Sequence, residues 1–385
     1  MPYPPYRGDK LKIFNLAKRL CKDHELHLLT FTETEADKQY VSELKPIFTK
    51  IETIHLHKWR SVWNCFKAVF STTPLQIAYF HSPEMQQKLN EWVASEHYDA
   101  IHVQHLRMAP YLRHRKDLPC VLDLPDAFSL YWRRRQETEK NSFKKAFQKI
   151  EQKRLERFEA VINDYKLALV CSQEDLEYLE KIHRAPHLKL LPNGVDTTTF
   201  KAREHDYVPN RIILFTGNMD YAPNVDAVTY FAEELLPPIR KRFPESRFII
   251  AGQRPLEKVK SLANEYIEVT GFVKDLAEMY DRASIVVAPL RFGAGTQNKV
   301  LEAMAMGVPV ICSHIGFKGL GIENGEGSFM AADKEGFIRQ VCDLLASENL
   351  RKNTGGKGKN IIAQRFDWSV IARQLENYFK EIQKV

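Results

Sequence analysis

Along this chain, short apolar runs recur between stretches whose apolar positions fall three and four apart, which predicts strands alternating with amphipathic helices. In the first half the strand candidates are HELHLLTF (24–31), DAIHVQH (99–105), PCVLDL (119–124) and LALVCS (167–172). In the second half they are RIILFTG (211–217), RFIIAG (247–252), IEVTGF (267–272), SIVVAPL (284–290), VPVICS (308–313) and GSFMAA (327–332). Such alternation over nearly the whole length predicts an α/β protein with parallel sheets in two Rossmann-like halves. The periodic pattern lapses between 190 and 211, where Pro, Gly, Asn and Asp cluster, so the joint is expected there. The division reads as 1–205, 206–366 and a final amphipathic helix over 367–385. Two local readings complete the pattern. The first helix, DKLKIFNLAKRLCKD, begins almost at once after PYPPYRG, so the first strand of the N-terminal sheet is expected to be missing or short. The stretch NTGGKGKN (353–360) lacks the spacing of a phosphate loop and follows no strand, so it reads as a helix stop.

Composition changes this picture little. A length of 385 residues exceeds what one hydrophobic core usually serves, in keeping with two domains. No apolar run reaches the roughly 18 residues of a membrane span, and the polar, proline-rich start has no signal-peptide pattern, so a cytoplasmic protein is expected. The six cysteines form no C-x-x-C pair, which argues against a zinc site or a disulfide framework. The net charge of +7 is modest, but Lys and Arg outnumber Glu between 131 and 160. That segment reads either as a solvated helix face or as a peripheral contact with anionic membrane or a lipid-linked phosphate. Nucleic acid is not expected as a partner, because no recognised binding motif accompanies the charge.

The chemistry concentrates in APLRFGAGTQNKVLEAMAMGVPVICS (288–313), which reads as strand, loop, helix, strand. Gly293 and Gly295 would let backbone approach a ligand, and the amides of Thr296, Gln297 and Asn298 would open a helix whose dipole favours an anion. Lys299 can reach back toward that anion, and Arg291 lies on the near side of the loop with a fork suited to phosphate oxygens. Glu302 lies six residues beyond Thr296, about 9 Å along a helix, the separation of a diphosphate from the ribose of its nucleotide. Two plainer readings stand beside these: turn glycines, and a Glu302–Lys299 salt bridge. A dehydrogenase is excluded because Asn298 replaces the third glycine of the dinucleotide motif and the next strand ends in Ser313 and His314, without an acid.

Those residues, with LPNGVDTTTF, ILFTGNMDYAPNVDAV and VTGFVKDLAEMYDRASIVVAPLRFGAGT, resemble the retaining glycosyltransferases of family 4, closest to a bacterial subgroup of exopolysaccharide gene clusters. The resemblance implies the GT-B fold: an N-terminal acceptor domain and a C-terminal nucleotide-sugar domain facing across a cleft, with the last helix crossing back to the first domain. Residue by residue it implies Glu302 on the ribose, Gly295 and Thr296 on the sugar or phosphate, and Phe272 and Val273 beside the base. Gly217 and Asn218 would also lie on the donor, and Arg7 and Gly8 on a loop closing over it. Two departures stand out. Ala294 replaces the first glutamate of the family's E-x7-E motif, and TGNMDYAPN lacks the Arg and Lys usual after the first C-terminal strand. The burden of neutralising the diphosphate therefore passes to Arg291 and Lys299.

No D-x-D pair is present, so a metal-independent site without cofactors is expected, with the leaving diphosphate stabilised by a helix end and cations. His102 and His105 end one N-terminal strand, and Asp123 and Asp126 end the next; His105 and Asp126 are the catalytic candidates among them. The expected partners are a nucleotide-sugar donor and a glycan or lipid-linked acceptor. Two alternatives remain: a nucleotide-sugar 2-epimerase of the same fold, and a non-catalytic nucleotide-sugar-binding partner.

Overall fold

The computed structural model describes residues 1–5, 8–201, 210–293 and 296–383. Two compact units emerge, one of residues 1–193 with 368–385 and one of residues 194–367. All ten strands expected from the apolar runs are present, and two more are found, giving β1 His27–Thr32, β2 Lys50–His55, β3 Ile101–Gln104, β4 Cys120–Leu124, β5 Leu167–Val170 and β6 Leu188–Leu190 in the first unit. The second holds β7 Ile212–Thr216, β8 Arg247–Ala251, β9 Ile267–Gly271, β10 Ile285–Ala288, β11 Val310–Ser313 and β12 Ser328–Ala331. The helices used below are α1 Gly8–Leu20, α2 Lys58–Val69, α3 Phe128–Thr138, α4 Ser142–Glu159, α5 Ala222–Tyr230, α6 Leu276–Arg282, α7 Asn298–Ala305 and α8 Trp368–Gln383.

In the first unit the parallel strands form two sheets, β1-β2 and β3-β4-β5-β6, rather than one. α1 bridges them. Its Ala17 joins a cluster with Leu28 of β1, while Leu16 and Leu20 pack with Val121 of β4 and Leu169 of β5. α8 lies over the same core because Trp368, Ile371, Ala372 and Leu375 recur at helical spacing and bury together against Leu167, Leu169 and Leu191. Gln374 Nε2 and Tyr378 Oη both donate to the Leu190 carbonyl, each at 3.0 Å, fixing the helix on the end of β6.

The second unit is built on one six-stranded parallel sheet, ordered β12-β11-β10-β7-β8-β9. β7 and β10 are buried at every position, as expected of strands covered on both faces. The chain runs β7, β8, β9 toward one edge and then returns to place β10 on the other side of β7. The connections leaving β7 and β10 therefore diverge, and open α/β sheets bind ligands in the crevice such a reversal leaves.

Three sequence expectations need correction. Residues 194–200 go with the second unit, since the Val195 amide donates to Phe366 O at 2.8 Å and Val195 bridges to Asp367. The glycine-rich stretch 353–360 does not stop a helix; it lies inside the helix Glu348–Ile361. Close packing explains this, because a Cβ on Gly327 would sit 2.4 Å from Gly358 Cα, so the helix needs a bare backbone where that loop crosses. Finally, the basic segment 131–160 is divided between α3 and α4, with Asn141 capping α4 through a side-chain bond from the Lys144 amide.

Candidate active site

β10 leads through residues 289–297 into α7, whose amino end faces out from the carboxyl edge of the sheet beside β7. The helix begins at Asn298, two residues later than the sequence pattern suggested, and ends before Gly307, which takes a left-handed φ of +73°. Glu302 is therefore one turn from the helix start rather than nearly two.

Lys299 is buried, 8% exposed, with Nζ 3.2 Å from Asn224 Oδ1 and 3.3 Å from Gln297 Oε1, and 4.9 Å above the Phe215 ring. Burial lowers its pKa to about 8, although the Glu302 carboxylate pulls it up. Asn224 in turn donates to Asn218 O at 3.0 Å, and Gln253 Nε2 donates to Asn218 Oδ1 at 2.9 Å. Gly217 fits this cluster only without a side chain, because a Cβ would lie 2.6 Å from Asn224 Nδ2. Thus Lys299, some eighty residues along the chain, is joined to Gly217 and Asn218 by Asn224.

Glu302 does not pair with Lys299. Its Oε2 accepts from Tyr280 Oη at 2.7 Å, and Tyr280 Oη lies 2.6 Å from Thr216 Oγ1 at the end of β7. Its other oxygen, Oε1, takes no hydrogen bond among the described residues. Burial raises the Glu302 carboxyl, while the Tyr280 hydroxyl and Lys299 pull it back. Tyr280 is fully buried, and burial beside Glu302 keeps its hydroxyl protonated as a donor. The result is a chain from Thr216 through Tyr280 to a carboxyl group with one oxygen left to accept from a ligand hydroxyl. Tyr280, Thr216 and Asn224 were not singled out in the sequence; Tyr280 reads there as one more apolar position of a helix.

Arg291 stands differently from the expectation. Its fork is spent on Asp226 of α5, with Nε donating to Oδ2 at 2.8 Å, and its guanidinium covers the Tyr230 ring. It meets a phosphate only by giving up that pair. Arg291→Ala is accordingly expected to change the affinity for the nucleoside diphosphate expected from the sequence by less than about threefold, the scale of an exposed ion pair, in titration calorimetry. Phe272 follows β9 and is 64% exposed, with Val273 beside it packed in part against the core under α7; both lie at the same edge of the sheet. Thr296 is buried and Gly293 has φ +140°. Gly295, with Ala294 and Arg7, lies outside the described residues.

In the first unit Gly8 opens α1, and the polar ends of β3 and β4 separate into two roles. Asp123 is fully buried, accepting from Lys12 Nζ at 2.7 Å and bonded to His102 Nε2 at 3.0 Å. Burial pushes its carboxyl up, but Lys12 and His102 outweigh this and hold it low. Asp123 is a structural anchor. His105 adopts φ +84°, is buried, and stacks 4.8 Å from Phe128; burial and then Arg107 push its pKa well down, so the ring is neutral. Asp126 is raised well above the carboxylate range by burial, then by Asp175 and Asp9. It stands in a cluster with Cys171 and Asp175 whose ligand atoms lie within 4.8 Å of one another. Asp175 accepts from the Ala127 amide at 3.2 Å and from Ser172 Oγ at 2.5 Å, and Cys171 Sγ donates to Pro125 O at 2.6 Å. These bonds tie Asp175 and Cys171 to the backbone on either side of Asp126.

Comparison with known proteins agrees in both halves. Residues 13–199 match the family model Glycosyltransferase Family 4, and residues 210–347 match Glycosyl transferases group 1. A 44.6 kDa protein of the cps region of Klebsiella pneumoniae is 22% identical over 99% of this chain and 97% of its own length. Among solved structures, Anabaena HepE in complex with UDP and glucose superposes with a TM-score of 0.69 at 16% identity, covering 97% of this chain and 96% of that one. Sucrose-phosphate synthase from Thermosynechococcus elongatus superposes at 0.70 and 16% identity over 98% and 94% of the two chains. At these identities the superpositions show the fold.

Proposed function

We propose, from the premise that this chain belongs to the GT-B glycosyltransferases of family 4, that it moves a sugar from a nucleoside diphosphate sugar to a glycan or lipid-linked acceptor in surface polysaccharide assembly. The transfer retains anomeric configuration and uses no metal ion. One observation carries the reading: Lys299 and Glu302 stand one helical turn apart at the sheet reversal between β7 and β10, with Tyr280 leaving one carboxylate oxygen open. A diphosphate at the amino end of α7 would meet the helix dipole and the Lys299 ammonium, and the ribose hydroxyls would donate to Glu302.

In the reaction the bond from the anomeric carbon to the diphosphate oxygen breaks, and its electron pair leaves with the diphosphate. Charge grows on that departing oxygen, where the helix end and Lys299 stabilise it. The acceptor hydroxyl attacks from the same face, and its proton passes to the departing oxygen. The second unit holds the donor in this reading and the first the acceptor. There Asp126, whose carboxyl burial and the neighbouring Asp175 push toward the protonated form, and His105, whose charged form burial disfavours, are the polar groups for the acceptor hydroxyl.

The test is product analysis with labelled nucleotide sugars, beginning with uridine donors because HepE was crystallised with UDP. Transfer or slow hydrolysis with the donor's anomeric configuration preserved, unchanged by a chelator, is the expected result. A 2-epimer formed without acceptor would assign the chain to an isomerase, and tight nucleotide binding with neither product would make it a binding protein.

A further inference from the structure

Two helices of the first unit are turned inside out. α2 buries the small side chains Ser61 and Ala68, while Trp59, Val62, Trp63 and Phe66 on its opposite face are each more than half exposed. Phe70, immediately after it, is 81% exposed. The first half of α4 does the same, burying Gln148 and Glu151 and exposing Phe143, Phe147 and Ile150, while its second half buries Leu155 in the core. A helix packed on a core buries the reverse set. The two faces adjoin, since Arg154 Nη2 of α4 donates to Val69 O at 2.9 Å and Ile150 lies one turn before Arg154.

The charge on α2 and the first half of α4 is predominantly positive, although Arg60 is paired with Glu84 at 2.7 Å and Glu139 accepts from Gln148. Lys58, Arg60 and Lys67 on α2, and Lys144, Lys145 and Lys149 on α4, are all exposed. α2 holds no acid, and the only acid of α4 before Lys153 is the buried Glu151. Exposed apolar surface of this extent calls for a cover. A second copy meeting the same face would set like charges against each other, whereas an anionic bilayer satisfies both features: aromatic rings at the headgroup boundary and lysines on lipid phosphate. α2 has 12 residues, about 18 Å of helix, too short to cross a hydrocarbon layer of roughly 30 Å, so it would lie in the plane of the interface.

We propose that α2, Phe70 and the first half of α4 form the surface by which this protein docks on anionic membrane. This shifts the contact from the basic segment 131–160 alone to an aromatic helix some seventy residues earlier. A cavity of about 400 Å³ opens beside α2, between Asn64 and Lys67 on one side and Phe80, Arg107 and Tyr111 on the other. Resting on the proposed function, that cavity stands where a lipid-linked acceptor would leave the bilayer.

The experiment is co-sedimentation of the full chain with vesicles of equimolar phosphatidylcholine and phosphatidylglycerol, and with phosphatidylcholine alone. Binding is expected to the anionic vesicles only, to weaken in high salt, and to blue-shift tryptophan emission from Trp59 and Trp63. The triple variant W59S/W63S/F66S is expected to lose about tenfold or more of that partitioning while far-UV circular dichroism and the thermal unfolding midpoint of the full chain, unchanged, report an intact fold. Equal partitioning of the variant and the natural chain would overturn the proposal. So would absence of vesicle binding with a dimer that the same substitutions dissolve. Neither outcome depends on UDP binding or sugar transfer, so failure here is separable from failure of the glycosyltransferase reading.

Discussion

Glu302→Ala is expected to weaken UDP binding by roughly 10- to 150-fold, the span of about 1.5–3 kcal/mol for hydrogen bonds to a charged group. The loss should be confined to ligands that carry a ribose. Inorganic pyrophosphate, which reaches only the helix end, should bind the variant and the natural chain alike. 2′,3′-Dideoxy-UDP should bind both equally weakly, because its sugar has no hydroxyl to offer the carboxylate. The substitution removes a carboxyl that burial already pushes up, so the fold is not expected to suffer. Glu302→Gln keeps an acceptor oxygen but loses the charge, and should fall between the two. Calorimetry with the three ligands reads all of this.

Lys299→Met should weaken UDP and pyrophosphate together, by a similar factor, because the ammonium serves the phosphates and not the sugar. A second signature belongs to the lysine's depressed pKa of about 8. Below that value the free protein carries the charge already; above it the side chain is mostly neutral, and an arriving diphosphate must recruit a proton to restore it. Affinity is therefore expected to be flat below about pH 8 and to fall as pH rises beyond. At pH 8 binding should take up about half a proton, measurable in buffers of different ionisation enthalpy. The Met variant should show neither the fall nor the uptake. A flat profile in the natural chain would separate Lys299 from the phosphates.

Much of the donor unit was legible in the chain. Its central strands β7 and β10 are nearly unbroken apolar runs because parallel strands covered on both faces have no polar side to show, whereas the edge strand β9 exposes Glu268. Lys299 and Glu302 stood out because charged residues interrupt an otherwise apolar helix. Their partners did not. Tyr280 and Asn224 act through hydrogen bonds made across the fold, and nothing in their own neighbourhoods marks them. The pairing of Arg291 with Asp226 was not legible for the same reason, since Asp226 lies on another helix. The acceptor unit was read less fully. β2, KIETIH, is mostly polar without clean alternation and pairs with β1, and β6 is three residues long. Glycines at 355, 356 and 358 suggested a helix end, yet the helix continues through them, and at Gly358 the bare backbone lets Gly327 approach. α2 was passed over because helical periodicity reports an apolar face without saying whether the core or the solvent receives it.

The most direct measurement is the structure of the protein crystallised with UDP. The account predicts both phosphates at the amino end of α7, within hydrogen-bond reach of the Asn298 and Lys299 amides and Lys299 Nζ, with the ribose hydroxyls on Glu302 Oε1 and Tyr280 still on Oε2. A nucleotide seated away from the β7–β10 reversal, or a Glu302 that turns from the ribose, would contradict it.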